Sequence, residues 1–226
     1  MLSSLMREGF SLDTVFILIS SLFVVFFTLP VHEAAHAFIA HKLGDNTARN
    51  MGRLTVNPLK HLDPFGSILI LLFGFGWAKP VPVNPGNFKK PKQGMAITAL
   101  AGPVSNLLMA FLFMLIANGI WLIPVTLDTM NYINVVYLFF YYAASINISL
   151  AVFNLIPVPP LDGSRLLCAF LPDRLYFKVM QYEQFFMLGI ILLLFTGILD
   201  VPLGFLSSLL MHGIDFLSNL PFAFIG

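Results

Sequence analysis

An all-α polytopic membrane protein is the fold class this sequence predicts, and three observations predict it. Hydrophobic residues fill 58% of the 226 positions and charged residues only 10%, where a soluble domain carries about 25% charged residues. Apolar runs of roughly 20 residues recur along the chain, long enough to cross ~30 Å of hydrocarbon at about 1.5 Å per residue. Lys and Arg are gathered almost entirely into the intervals on one side of those runs. A chain so short of polar groups cannot cover a water-facing surface, so the bilayer is its solvent. The net charge of +1 makes no case for a nucleic-acid partner. The single cysteine, Cys168, excludes an intrachain disulfide and reads as a small packing residue. No interval is long enough for a separate soluble domain. The expectation is one membrane-embedded domain over 1–226, with a core at 13–170 and C-terminal helices at 182–226.

The spans follow in order. The first covers about 13–42. Its apolar run, 14–31, is longer than the apolar core of a secretory signal peptide and leads into His32 and Glu33, not into a small-residue cleavage site. The second covers about 94–121, with no charge between Lys92 and Asp128, and the third lies within the charge-free interval 129–161. These three form the expected core. A fourth span is expected at about 182–199, and the apolar tail from 201 either crosses or lies at the interface. The run 65–77 is too short and too rich in glycine (Gly66, Gly74, Gly76) for a span, so 65–85 reads as a re-entrant or extended segment.

Orientation follows from the basic residues. Of the 12 Lys and Arg, eight lie between the first and second spans and three, Arg165, Arg174 and Lys178, between the third and fourth; only Arg7 lies elsewhere. Alternating spans put those eleven on one face. That face is expected to be cytoplasmic, with the N-terminus outside.

Two acidic residues lie well inside otherwise apolar stretches, Glu33 and Asp162. An ionisable group at membrane depth costs at least about 2.5–3.5 kcal/mol and points to function. Glu33 belongs to His32-Glu33-Ala34-Ala35-His36. On a helix, positions i and i+4 share a face, so both imidazoles can reach one metal ion while Glu33 reaches a water on it without being a ligand. This is the H-E-x-x-H arrangement of zinc proteases. A chance match on a solvated helix would leave two His and a Glu unpaired beside hydrocarbon. A catalytic zinc takes three protein ligands and an open position. His41 is five residues past His36 and turns off the shared face; His61, in the basic loop, and His212, in the tail, read as surface residues. Asp162 remains. It follows Pro157, Pro159 and Pro160, which force irregular backbone at the end of the third span. It is either the third ligand or a turn-forming Asp-Gly.

His32-Glu-Ala-Ala-His36 together with Asn154-Leu-Ile-Pro-Val-Pro-Pro-Leu-Asp162-Gly163 resembles the paired signature of the site-2 protease family of intramembrane metalloproteases. Gly102-Pro103-Val-Ser-Asn106 is similar to that family's G-P-x-x-N segment. The resemblance runs from about residue 13 to at least 170 and is to the short prokaryotic form without PDZ or CBS domains. It implies one zinc ion on His32, His36 and Asp162, Glu33 as catalytic base, and Asn106 and Asn154 near the zinc, holding the substrate backbone or the oxyanion. It also implies a prokaryotic cell membrane and a single-span membrane protein as substrate. Asn106 read by itself is equally a helix-packing hydrogen-bonder.

His36 lies six residues before Lys42, roughly 9 Å inside the end of its helix, so the site is expected near the cytoplasmic side. Pro30 removes a helix hydrogen bond just ahead of His32. The proline-rich stretch 74–85 resists helix. It is either an extended edge that pairs with a substrate strand or a rigid interfacial loop anchored by Trp77. The competing class of function is a metal-ion transporter or channel, since intramembrane His and carboxylate also mark ion pathways; no inverted repeat is visible.

Overall fold

The structure, a computed structural model, describes residues 12–73, 78–124, 126 and 130–223. Arg7 and the stretch 74–77, with Trp77, lie outside the described residues. The elements are helical throughout, with no strand among the described residues. Four helical stretches are long and apolar enough to cross a membrane: Thr14–Lys42, Pro91–Leu122, Met130–Asn154 and Asp200–Asn219.

The first span is built from α1 (Leu12–Phe23), a π-helical turn (Val24–Thr28) and α2 (Leu29–Lys42). The wider turn has a local cause. Pro30 has no N–H for the carbonyl of Phe26, and its ring crowds that carbonyl. The π-turn absorbs the mismatch, and α2 then restarts with Pro30 in its first turn, where a missing donor costs nothing. The Thr28 hydroxyl donates to the Val24 carbonyl at 2.8 Å.

After α2 come two single turns, α3 (Thr47–Asn50) and α4 (Pro58–His61), and then α5 (Pro64–Phe73). Ten residues rise about 15 Å, half the hydrocarbon thickness. Its Ile70 is nonetheless 1% exposed and joins the main core. Residues 78–84 carry no helix. Among the described residues, the 65–85 region is thus a short helix that ends at Phe73 and, from 78 to 84, chain without helix.

The second span, α6 (Pro91–Gly119), is the centre of the bundle. It packs against α7 (Met130–Asn154), α2, α8 (Asp162–Cys168) and the last helix. Ala110, Ala117, Ala143, Ala144 and Ala151 are all fully buried along α6 and α7. Small residues let the backbones approach where lipid offers no hydrophobic drive for association.

The C-terminal helices depart from the expected fourth span at 182–199. Helix α9 (Asp173–Gln181) leads into α10 (Glu183–Thr196), and Gly197 ends α10 with φ 72° in the left-handed region. Fourteen residues rise about 21 Å, short of a full crossing. The fourth membrane-length helix is instead α11 (Asp200–Asn219). It packs on α6 and α7, with Ile214 in the main core. Asn118, at the end of α6, donates to Asp215 Oδ1 at 3.0 Å and to Ser218 Oγ at 2.9 Å.

Candidate metal centre

Helix α2 carries His32 and His36 one turn apart, and both face α6. Their Nε2 atoms are 3.1 Å apart. The α7–α8 connection brings the third group. Its chain folds back so tightly that a Cβ on Gly163 would overlap the carbonyl of Leu155, which only glycine avoids. Asp162 opens α8 from this turn, and its Oδ2 lies 3.4 Å from each histidine Nε2.

These three atoms fit a metal ion. A tetrahedral ion with bonds of about 2.0–2.1 Å holds its ligands about 3.3 Å apart, which matches the separations of 3.1, 3.4 and 3.4 Å. Asp162 Oδ2 is buried without a hydrogen-bond donor among the described residues. A bare carboxylate oxygen in such a place calls for a cation. The donor set, two imidazoles and one carboxylate, is that of catalytic zinc sites. His36 Nδ1 lies 2.7 Å from the carbonyl oxygen of Thr98, which must accept, so the proton sits on Nδ1 and the Nε2 lone pair is free for the metal.

Helix α6 closes the site from behind. A Cβ at Gly102 would overlap His32 Cε1 and Nε2 and His36 Nε2, so this glycine is what lets α6 approach the ligand rings. Pro103 follows within the helix. Asn106, one turn on, is fully buried with neither side-chain atom hydrogen-bonded among the described residues. Asn154 lies on the wall of the cavity in front of the site, and its Nδ2 donates to the Leu150 carbonyl at 2.9 Å.

That cavity has a volume of about 390 Å³. It is lined by His32, Glu33, His36 and Asp162, by the apolar Leu29, Met95, Leu150 and Phe153, and by Ala78, Pro80, Val81 and Val83 of the segment after α5. Met187, Ile190 and Leu194 of α10 also line it, so the helix too short for a full crossing borders the site. Glu33 is 8% exposed, and its Oε2 accepts the Val81 N–H at 3.0 Å.

The other histidines stand apart. His41 is partly exposed, with Nδ1 2.6 Å from Asn46 Oδ1, and His212 is exposed. His61 corrects the expectation of a surface residue: it is fully buried, with Nε2 2.7 Å from the carbonyl of Thr55. Its burial outweighs that hydrogen bond and holds its pKa below the ordinary histidine value, with the nearby Arg53 charge acting the same way. The loop folds under the extended segment, which a polar loop sequence does not announce. Sequence reasoning also missed the Thr98 carbonyl, the Val81 N–H and the role of Gly102. Only the last left a signal, a Gly-Pro pair inside a span.

H-E-x-x-H and a distant Asp placed together to bind a metal ion, inside a bundle of membrane-length helices, are the arrangement of a membrane-embedded zinc metalloprotease. Comparison with known proteins agrees. The description "Peptidase family M50" matches residues 119–196, the part that holds Asn154 and Asp162. YwhC of Bacillus subtilis is 43% identical over 186 residues, covering 80% of this chain and 79% of that protein. Rip2 of Mycolicibacterium smegmatis is 29% identical over 76% of this chain and 65% of its own length. MJ0611 of Methanocaldococcus jannaschii is 30% identical over 68% and 72%. Each is named "Putative zinc metalloprotease". No solved structure matches the chain. The chain belongs to peptidase family M50 and is an integral membrane zinc metalloprotease.

Proposed function

We propose that this protein hydrolyses peptide bonds within or beside the membrane-spanning segments of other membrane proteins, with His32, His36 and Asp162 on zinc and Glu33 as general base. The observation that carries the reading is the cavity, whose mostly apolar lining includes Glu33 and the three residues placed to hold a metal. Zinc in this site supplies a Lewis acid that lowers the pKa of water to about 7. Glu33 takes the proton of the attacking water as it adds to the peptide carbonyl, then delivers it to the leaving amine. Asn154 on the cavity wall and Asn106 on α6 are the amides we assign to the substrate backbone or the oxyanion. The extended rim at Ala78–Val83 suits a substrate in extended form, so a helical segment must unwind locally before it is cut.

The substrate is a single-span membrane protein. The N-terminus is outside and the site opens near the cytoplasmic face of a prokaryotic cell membrane. Supporting this orientation are the eleven basic residues that alternating spans gather on one side.

Co-expression of wild-type and Glu33→Ala forms, followed by comparative proteomics of single-span proteins, tests the reading. Glu33 is not a ligand, so the variant keeps its zinc while uncut substrates accumulate. Wild-type cleavage by zinc-loaded Glu33→Ala protein would rule out the base.

A further inference from the structure

Arg53 is buried, 8% exposed, and forms no ion pair among the described residues. A guanidinium out of water without a counter-ion is costly unless its donors are used. One nitrogen is used fully: Nη2 donates to the carbonyl of Lys79 at 2.6 Å and to that of Pro80 at 3.3 Å. The base of the side chain is fixed as well. Gly52, φ 65°, ends α3 with its N–H on the Arg49 carbonyl, and the Arg53 N–H returns to Ala48 at 2.8 Å. This paired closure is a Schellman motif, and it sets the direction in which Arg53 leaves the backbone.

The segment Arg53 holds is the one that touches Glu33. Lys79 N–H donates to the His61 carbonyl at 2.8 Å, and Asn84 N–H to Asp45 Oδ2 at 2.8 Å. Between these anchors Pro80 and Pro82 have no donor, so Val81 carries the one N–H of 80–82, and it goes to Glu33 Oε2. A carboxylate pinned through one oxygen keeps the other for a proton. Its orientation then depends on where the 79–81 backbone sits.

We propose that Arg53 is a positioning residue for the hydrolytic step: by holding the carbonyls of Lys79 and Pro80 it sets the Val81 N–H that orients the Glu33 carboxylate. The inference rests on the reading of Glu33 as the base. It reaches the reaction through backbone, so Arg53 itself touches neither substrate nor ligand set.

The test uses the full chain in detergent, loaded with zinc, with fluorescently labelled β-casein as the probe. Misplacing a reacting group by about 1 Å costs on the order of 100-fold. Arg53→Ala should therefore lower kcat by about 10- to 100-fold while zinc content and helical circular dichroism stay at wild-type values. Arg53→Lys, which can still reach a carbonyl, should recover part of the loss. Val81→Pro, which removes the N–H between two existing prolines, should show the same defect, and the double variant should be no worse than either single one. Amide exchange in the peptide 78–84 should quicken in Arg53→Ala. A zinc-loaded Arg53→Ala protein with wild-type kcat overturns the proposal. So does an activity loss that only follows lost zinc or lost fold, or a double variant whose defects multiply. Glu33→Ala is run alongside: its being active sinks the base itself, whereas an inactive Glu33→Ala beside a fully active Arg53→Ala sinks only the positioning role.

Discussion

Gly102 lies against the Nε2 atom of His36, so closely that a methyl group on the glycine would overlap the ring. The same methyl would overlap His32. The second span therefore needs a residue without a side chain at the point where it passes both histidine rings.

Gly102→Ala separates the site from the fold. Alanine is the better helix former by about 1 kcal/mol, so α6 and the bundle should persist. The rings must move, at a cost of about 1–3 kcal/mol for overpacking, equivalent to about 5- to 150-fold in zinc affinity. Zinc content after dialysis against a weak chelator, measured beside circular dichroism, checks this. Unchanged zinc retention would show that the rings have room after all.

Asp162 is the member of the candidate metal site drawn from farthest along the chain. Asp162→Asn should weaken zinc binding, because a neutral amide is a poorer ligand than a carboxylate, and proteolysis should fall severely, with partial recovery in excess zinc. Asp162→Glu should keep more zinc but misplace it relative to Glu33. If Asp162 merely shaped the turn before Gly163, Asn would serve about as well. A fully active, fully loaded Asp162→Asn protein decides for that.

Asp45 ties the end of the first span to the extended segment. It is fully buried and accepts from the Thr47 N–H and hydroxyl, the Asn84 N–H and Asn87 Nδ2. Burial pushes its carboxyl up, but the hydrogen bonds from Thr47, Asn87 and Asn84 outweigh it and hold the pKa below the usual value. The unfolded chain then binds the proton more readily than the folded one. The resulting stability is present above the unfolded pKa of about 3.9 and is lost as pH falls through the folded value. Asp45→Asn should cost about 1–3 kcal/mol near neutral pH. The gap in melting temperature between wild type and variant should close as the pH drops below about 4. A gap that is constant with pH would show that the charge contributes nothing.

The bond from Asn118 to Asp215 fixes one end of α11 beside the far end of α6. If α11 spans the membrane, its other end, at the Gly197 turn, lies on the opposite face and α10 does not cross. In a background lacking Cys168, Ile198→Cys and Leu220→Cys should react with an impermeant thiol reagent from opposite sides. Labelling of both from one side would place α11 in the interface instead.

The sequence by itself determined the membrane setting, the three core spans and the face shared by His32 and His36, with Glu33 next to it. Each rests on local information: run length, charge placement and the i, i+4 geometry of a helix. Chain order alone left Asp162 between a ligand and a turn residue; it lies within 3.4 Å of both histidines only because α7 and α8 fold back across α6. The same holds for Val81 on Glu33, which are 48 residues apart, and for Gly102 behind the rings. Hydropathy expected a span at 182–199 and left the tail from 201 either crossing or at the interface; the left-handed turn at Gly197 divides this region into a helix of 14 residues and one of membrane length, Asp200–Asn219. The reason is common to all of these. Spacing along one helix records which residues share a face, but which faces meet depends on packing and hydrogen bonds between segments far apart in the chain, and only the tertiary structure decides those.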